Sequence, residues 1–343
     1  MKWFAIVVFL VPVCMISATP EWSWLYQKKF SSKEIGQNRA KKSLTFVKDN
    51  VHPFTQLVFS WNSFRPPIGS FQFFAQVRNA KTKKWSSWHK MIEWGAGVQR
   101  SFASKHDGIS EYVYVRLETG NANHADAFRI KVATTDNACL SLLRGFAINI
   151  ADYPLFKSEL LDAEVAKLES VSIEGVPTLS QFMLEHPRNN GLCSPTSCTM
   201  LTSFFLRQQI DALDFAEKAY DAGLDKYGSW PFNMACAFEL CQGTVWFTTA
   251  RLNSFAELHR HLQKGIPVVV SIRGPIEGGA SPYIHGHLLV VIGYDAQEQA
   301  VICHDPAFTE THETKIAYPL SSFIRCWEKS KRLAYLAQPV RVF

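Results

Sequence analysis

Apolar and polar residues alternate through five stretches between about residues 52 and 150: QLVFSWNS, SFQFFAQVRN, EYVYVRLETG, AFRIKVATT and RGFAINIAD. A period of two puts every second side chain on one face of a strand, whereas a helix would scatter the same residues around its circumference. Gly, Pro and Asn turns separate the stretches, and the apolar members are largely aromatic or β-branched, types that pack well on a pleated surface. The pattern predicts half-buried antiparallel strands arranged as an all-β sandwich or jelly roll over residues 19–155. Within it, KKWSSWHKMIEWG supplies Trp85, Trp88 and Trp94. Core packing is the ordinary use of such aromatics, and stacking on a sugar ring of a glycan is the functional one.

The pattern changes after residue 155. FKSELLDAEVAKLES, 156–170, has helical spacing and VSIEGVP breaks it, so 156–174 reads as a helix and linker. From 175 to 343 a helical stretch such as SFAELHRHLQKG is interleaved with the strand-like runs IPVVVSIRG, HLLVVIGYD and AVICHD, which predicts an α+β domain. With 343 residues, 47% hydrophobic and 19% charged, the chain has the length and apolar content for two cores.

The opening MKWFAIVVFLVPVCMISATP has one early lysine, an apolar run and Ser17-Ala18 before polar sequence, the arrangement of a secretory signal peptide over residues 1–18. The run is too short for a stable membrane span, and no later stretch approaches the roughly 20 apolar residues one requires. The expectation is therefore a protein exported after cleavage, periplasmic or secreted. A net charge of +6 implies mild attraction to anionic surfaces such as a bacterial envelope. Lys28, Lys29, Lys33, Arg39, Lys41, Lys42 and Lys48 supply part of it and read as a solvated face. No basic run is interleaved with exposed aromatics as a nucleic-acid groove requires, so no nucleic-acid partner is expected.

Without the leader, Cys139, Cys193, Cys198, Cys236, Cys241, Cys303 and Cys326 remain. In an oxidising compartment an odd count leaves at least one thiol free or paired outside the chain. Cys193, in NNGLCSPTSCTML, is placed for reactivity. Met200 with Phe204 and Leu201 with Phe205 fall at i, i+4 spacing, predicting a helix with one apolar face through about Gln208, and Pro195 suits its first turn. Cys193 then stands at a helix N-terminus, where unbonded backbone N–H groups and the positive end of the helix dipole favour thiolate. The competing reading is a buried inert or disulfide-bonded cysteine.

A cysteine nucleophile needs a base, and the base needs an orienting group. In YIHGHLLVVIGYDAQEQAVICHDPAF, His287 opens an apolar strand, and a second strand ends at Asp305-Pro306. A hairpin that pairs His287 with Asp305 would centre its turn on Ala296 and put imidazole and carboxylate on one sheet face. Pairing of His285 with Asp305, or of His287 with His304, remains open at this level, with His287 favoured because the core strand begins directly after it. Gln181 is a candidate side-chain donor to an oxyanion, beside the Cys193 amide.

A zinc site built from the two Cys-x-x-x-x-Cys pairs, Cys303 and nearby histidines is disfavoured, because an i, i+5 step on a helix turns about 140° and points the sulfurs apart. No metal or other cofactor is expected.

Taken in order, VPTLSQ, GLCSPTSCTM, GSWPFNMACAFELCQG, GIPVVVSIRG, HGHLLVVIGYD and HDPAF resemble the papain-like cysteine peptidases related to the bacteriocin-processing, double-glycine leader peptidases, over roughly residues 175–340. The resemblance implies a papain-like fold, a peptide or protein substrate, Cys193 as nucleophile, His287 as base and then acid, Asp305 as its orienter and Gln181 in the oxyanion hole. The β-rich first half is similar to the accessory domain that precedes such peptidase domains in exported bacterial proteins. Two positions depart from the pattern. Leu192 stands where an aromatic is usual, and His304 where a small polar residue commonly precedes the Asp-Pro. No G-x-x-x-x-G-K-[ST] motif accompanies these elements, which separates the chain from leader-processing exporters. The function expected is hydrolysis of peptide or isopeptide bonds through a Cys-His-Asp triad, with RGPIEGGASPYIHG as a wall or flap of the cleft. An amidase or transglutaminase using the same triad is one rival, and a non-catalytic envelope- or glycan-binding protein is another.

Overall fold

The computed structural model describes residues 21–120, 123–158 and 165–340. The leader at 1–18 lies outside the described residues, as does the middle of the helix expected over 156–170. Of the described residues in that stretch, Val165–Lys167 form a 3-10 turn, and 156–158 and 168–170 are not helical.

Ten strands come first: β1 (Ser23–Lys29), β2 (Ser43–Lys48), β3 (Gln56–Ser63), β4 (Ser70–Asn79), β5 (His89–Gly95), β6 (Val98–Ser101), β7 (Glu111–Val113), β8 (Arg116–Glu118), β9 (Ala125–Thr135) and β10 (Leu143–Ala151), with helix α1 (Ser32–Asn38) between the first two. They form two antiparallel five-stranded sheets, ordered β1-β10-β3-β8-β7 and β2-β9-β4-β5-β6. The alternation decides which side chains turn inward. Phe71, Phe73, Ala75 and Val77 of β4 share one apolar core with Leu57, Phe59 and Trp61 of β3. Trp61 and Phe73 have ring centroids 4.8 Å apart. Trp94 is fully buried in this core, whereas Trp85 is half-buried and Trp88 is exposed.

The second half carries β11 (Val171–Ser172), α2 (Cys193–Leu206), α3 (Ala212–Ala219), α4 (Trp230–Leu240), β12 (Val245–Arg251), α5 (Phe255–Gln263), β13 (Val268–Ile272), β14 (His287–Asp295), β15 (Ala300–His304), β16 (Lys315–Pro319), α6 (Leu320–Lys329) and β17 (Leu333–Pro339). The strands form one antiparallel sheet ordered β12-β17-β13-β14-β15-β16, with β11 added along β14. The mixture of helix and strand is α+β, as expected. Helix α2 differs from the expectation of one apolar face. Every residue from Ser194 to Ser203 is buried, because the helix packs on β14 and is flanked by α3 and α4. Its Ser, Thr and Cys residues are small enough for that central position.

The outward face of β3 also departs from the half-buried pattern. Gln56, Ser60 and Asn62 are buried, since edge strand β12 lies across them. The Asn62 amide accepts from the Phe247 N–H and donates to its carbonyl, both at 2.9 Å. Ser60 Oγ accepts from Thr249 N at 3.2 Å, Asn149 Oδ1 accepts from Arg251 N at 3.0 Å, and Ser23 Oγ donates to the Arg251 carbonyl at 2.9 Å. Residues 247, 249 and 251 turn their backbone groups away from β17, so polar side chains of the first half complete an edge that would otherwise be unpaired. Phe232 and Ala235 of α4 enter the core of the first half, and the two halves are joined by apolar as well as polar contact.

Candidate active site

Leu192 occupies the N-cap of α2 and offers no side-chain acceptor, so the first turn keeps free N–H groups beside Cys193. The Cys193 sulfur lies against the His287 imidazole, with the backbone N–H groups of Leu288 and Ser194 beside it. Helix and strand are fastened at this point, since Ser197 Oγ donates to the Leu288 carbonyl at 3.0 Å. Burial works against a charged sulfur, but these donors and the imidazolium charge outweigh it and hold the Cys193 thiol below its ordinary value.

His287 and Asp305 meet, though not in the register expected. Val290 pairs with His304 and Val291 with Cys303, and after a bulge at Ile292, Gly293 pairs with Ile302. The ladder ends before Asp305, and the backbone partner of His287 is Ile272 of β13. Even so, His287 Nε2–H donates to Asp305 Oδ1 at 2.6 Å, which leaves Nδ1 as the nitrogen for Cys193. Burial disfavours the imidazolium, but the Asp305 carboxylate and the Cys193 sulfur overcome this and push His287 up to about 10. The two alternative histidines go elsewhere. His285 is exposed, and His304 Nδ1 hydrogen-bonds the Pro177 carbonyl at 3.0 Å.

Asp305 is fully buried and all its acceptor directions are used. Oδ1 takes the imidazole and the Ala307 N–H at 2.8 Å. Oδ2 takes the hydroxyls of Tyr283 at 2.8 Å and Tyr318 at 2.6 Å. Burial alone would raise this carboxyl, yet the imidazolium charge and these donors keep it below the usual carboxylate range. The Tyr283 ring also lies flat on His287, with centroids 4.3 Å apart and planes 7° from parallel. Neither tyrosine was singled out in the sequence: PYIHG carries no spacing signal for Tyr283, and Tyr318 reads as an ordinary strand residue.

Gln181 begins a 3-10 turn and is 2% exposed. Its backbone N–H donates to the Pro306 carbonyl at 2.9 Å, and its Nε2 donates to the Asn189 carbonyl at 2.9 Å. One residue thus links the segment after Asp305, through its backbone, to the turn that leads into Cys193, through its side chain, and one Nε2 proton is left over. The RGPIEGGASPYIHG segment connects β13 to β14. Its base is tied to α6 by Arg273 N donating to the Cys326 carbonyl at 2.9 Å and Glu277 N donating to Ser322 Oγ at 2.9 Å.

All seven described cysteines are free thiols. Cys198, Cys236, Cys241, Cys303 and Cys326 are buried and raised by desolvation, Cys241 to about 12. Cys139 is half-buried, and a hydrogen bond with Ser141 at 3.0 Å lowers it. Among the described residues no group of three or more His, Cys, Asp or Glu side chains is arranged to hold a metal ion, and no helix is long and apolar enough to cross a membrane.

A thiol on a helix start, against an imidazole held by a buried carboxylate, is an arrangement suited to a cysteine nucleophile. Residues 173–335 match the family model described as "Peptidase_C39 like family". Among solved structures, the chain is similar to a C39-like peptidase from Bacillus anthracis, with 18% identity, 50% of this chain and 98% of that chain covered, and a TM-score of 0.39. It is also similar to xylellain, a cysteine protease from Xylella fastidiosa, with 12% identity, 56% and 94% covered, and a TM-score of 0.35. No curated protein matches the chain.

Proposed function

We propose that the protein is an exported cysteine peptidase that hydrolyses peptide or isopeptide bonds through a thioester on Cys193. The observation that carries this reading is the placement of the Cys193 thiol against His287, whose ring is hydrogen-bonded to buried Asp305, with the thiol lowered and the imidazole raised. His287 Nδ1 takes the thiol proton, and the sulfur attacks the substrate carbonyl carbon. The oxyanion is held by the Cys193 N–H and the remaining Nε2 proton of Gln181. The C–N bond breaks as the imidazolium protonates the leaving amine. Water, deprotonated by the same imidazole, then attacks the thioester, releasing a carboxylic acid and restoring the thiol. Asp305 keeps the ring in one tautomer and stabilises its charged form.

The leader at 1–18 would direct export, and residues 19–155 would act as an accessory domain contacting substrate, glycan or envelope. The outer face of the β2-β9-β4-β5-β6 sheet supports the latter role. Lys131 lies over Phe74 and Trp88, and the Arg129 guanidinium stacks 3.7 Å from the Trp85 ring centroid.

Because Cys139 is also accessible, the test uses a Cys139→Ser background. A thiol-directed inhibitor should label Cys193, as read by peptide mapping. Cys193→Ala should abolish both labelling and cleavage of a peptide library, and Cys236→Ala should retain them. Equal labelling of the Cys193→Ala protein would refute the assignment.

A further inference from the structure

Tyr283 is joined to the candidate site twice, and the two attachments differ. Its hydroxyl shares Asp305 Oδ2 with the hydroxyl of Tyr318, which comes from β16, where Tyr318 pairs with Val301 of β15. The carboxylate therefore has a phenol donor built into the sheet that does not depend on the loop. Among the described residues the ring contact has no such duplicate: it is Tyr283 that lies parallel to the imidazole at 4.3 Å. A flat ring at that distance blocks rotation of the imidazole out of its plane and covers one side of the Nε2–Oδ1 hydrogen bond. The backbone is committed to this placement. Tyr283 has φ +45°, a left-handed conformation that is uncommon for a bulky residue, and its carbonyl accepts from both Gly274 N and Gly286 N at 3.0 Å. The surrounding loop holds that conformation in place, and the result is an aromatic plane over His287.

We infer that Tyr283 is a positioning residue for His287, and that it acts through the face of its ring while its hydroxyl is dispensable. The inference rests on the proposed role of Cys193 and His287. The titratable groups facing the imidazole are Cys193 from α2 and Asp305 from the end of β15, and those facing the carboxylate from the other side are Tyr283 and Tyr318. Loss of the ring lets the imidazole turn away from the line between sulfur and carboxylate. The imidazolium is then less well held, and the thiolate forms at higher pH.

The test is the second-order rate of Cys193 alkylation by iodoacetamide as a function of pH, in the Cys139→Ser background, with folding checked by thermal denaturation. Tyr283→Leu keeps apolar volume without a flat face. It should move the acid limb of the profile up by about one unit, which lowers the rate on that limb about tenfold. Tyr283→Phe restores the face without the hydroxyl and should stay within about twofold of the parent, as should Tyr318→Phe. Should Tyr283→Leu fail to fold, Tyr283→Met is read in its place. A folded Leu or Met variant with the parent's rate and limb would overturn the inference, as would a Phe variant as slow as Leu. Those results leave the function proposed for Cys193 standing. A parent protein whose Cys193 alkylates with the profile of an ordinary thiol would remove both.

Discussion

Replacing Asp305 by Asn removes one charge and leaves the heavy atoms in place. The new amide can keep its oxygen toward His287 Nε2–H and the Ala307 N–H, while its NH2 group donates to the phenol oxygens of Tyr283 and Tyr318, which accept as readily as they donate. Packing survives, the two phenol O–H protons must turn away from the new NH2 group, and the bond to His287 loses its ionic part. Hydrogen bonds to charged groups contribute about 1.5–3 kcal/mol against about 0.5–1.5 for neutral ones, a difference of about 1–2 kcal/mol, or roughly one pKa unit. The direction follows from the charge. The carboxylate helps to raise His287 from 6.5 to about 10, so its loss moves the basic limb of Cys193 reactivity down. The acid limb, set by the lowered Cys193 thiol, moves up. The pH window of the thiolate–imidazolium pair narrows from both sides, and alkylation on the acid limb slows about tenfold. Asp305→Ala behaves differently, because it strands four buried donors at about 1–3 kcal/mol each. That total of about 4–12 kcal/mol rivals the whole stability of an ordinary domain, so this variant should fail to fold or melt far lower. Alkylation rate against pH, with thermal denaturation of both variants, reads these effects. An Asn variant with an unchanged basic limb, or an Ala variant melting within a few degrees of the parent, would refute the reasoning.

Two further predictions concern the joint between the halves. Asn62→Ala removes both side-chain bonds to Phe247 and leaves two backbone groups of edge strand β12 unpaired, a loss of about 2–6 kcal/mol at about 1–3 for each group, visible as a lower melting temperature; a melting temperature unchanged within about 1 °C would contradict it. Gly223→Ala would place a methyl carbon 1.9 Å from the Ser101 carbonyl oxygen. The contact beside it, where buried Asp221 accepts from Ser101 N at 2.8 Å and Ser101 Oγ at 2.6 Å, should open, increasing hydrogen exchange in β6. Parent-like exchange there would show that the contact does not hold the joint.

Much of the site was legible before folding because it depends on local rules. Pro195 and the i, i+4 apolar pairs fixed a helix start at Cys193, and the apolar run after His287 fixed a strand start. The His287–Asp305 contact was reached with a register two residues off. It survives because side chains on a strand alternate with period two, so an even slip returns each residue to the same face. The bulge at Ile292 and the early end of the ladder leave no mark in composition. Tyr283 and Tyr318 were invisible for a different reason, since each reaches Asp305 from an element whose approach is set by long-range packing.

The order of residues by itself determined the alternation in the five strand stretches between about residues 52 and 150, the helix that begins at Cys193, and the parity that puts His287 and Asp305 on one side of their sheet. These follow from backbone geometry, which repeats every 2 or 3.6 residues wherever it occurs. Only the tertiary structure decided that Gln56, Ser60 and Asn62 complete the edge of β12 and that α2 is buried on all sides. It alone brought two phenols to one carboxylate oxygen. Periodicity states which side of an element is apolar, but the partner of a polar side chain is chosen by whatever chain arrives there, often a hundred or more residues away.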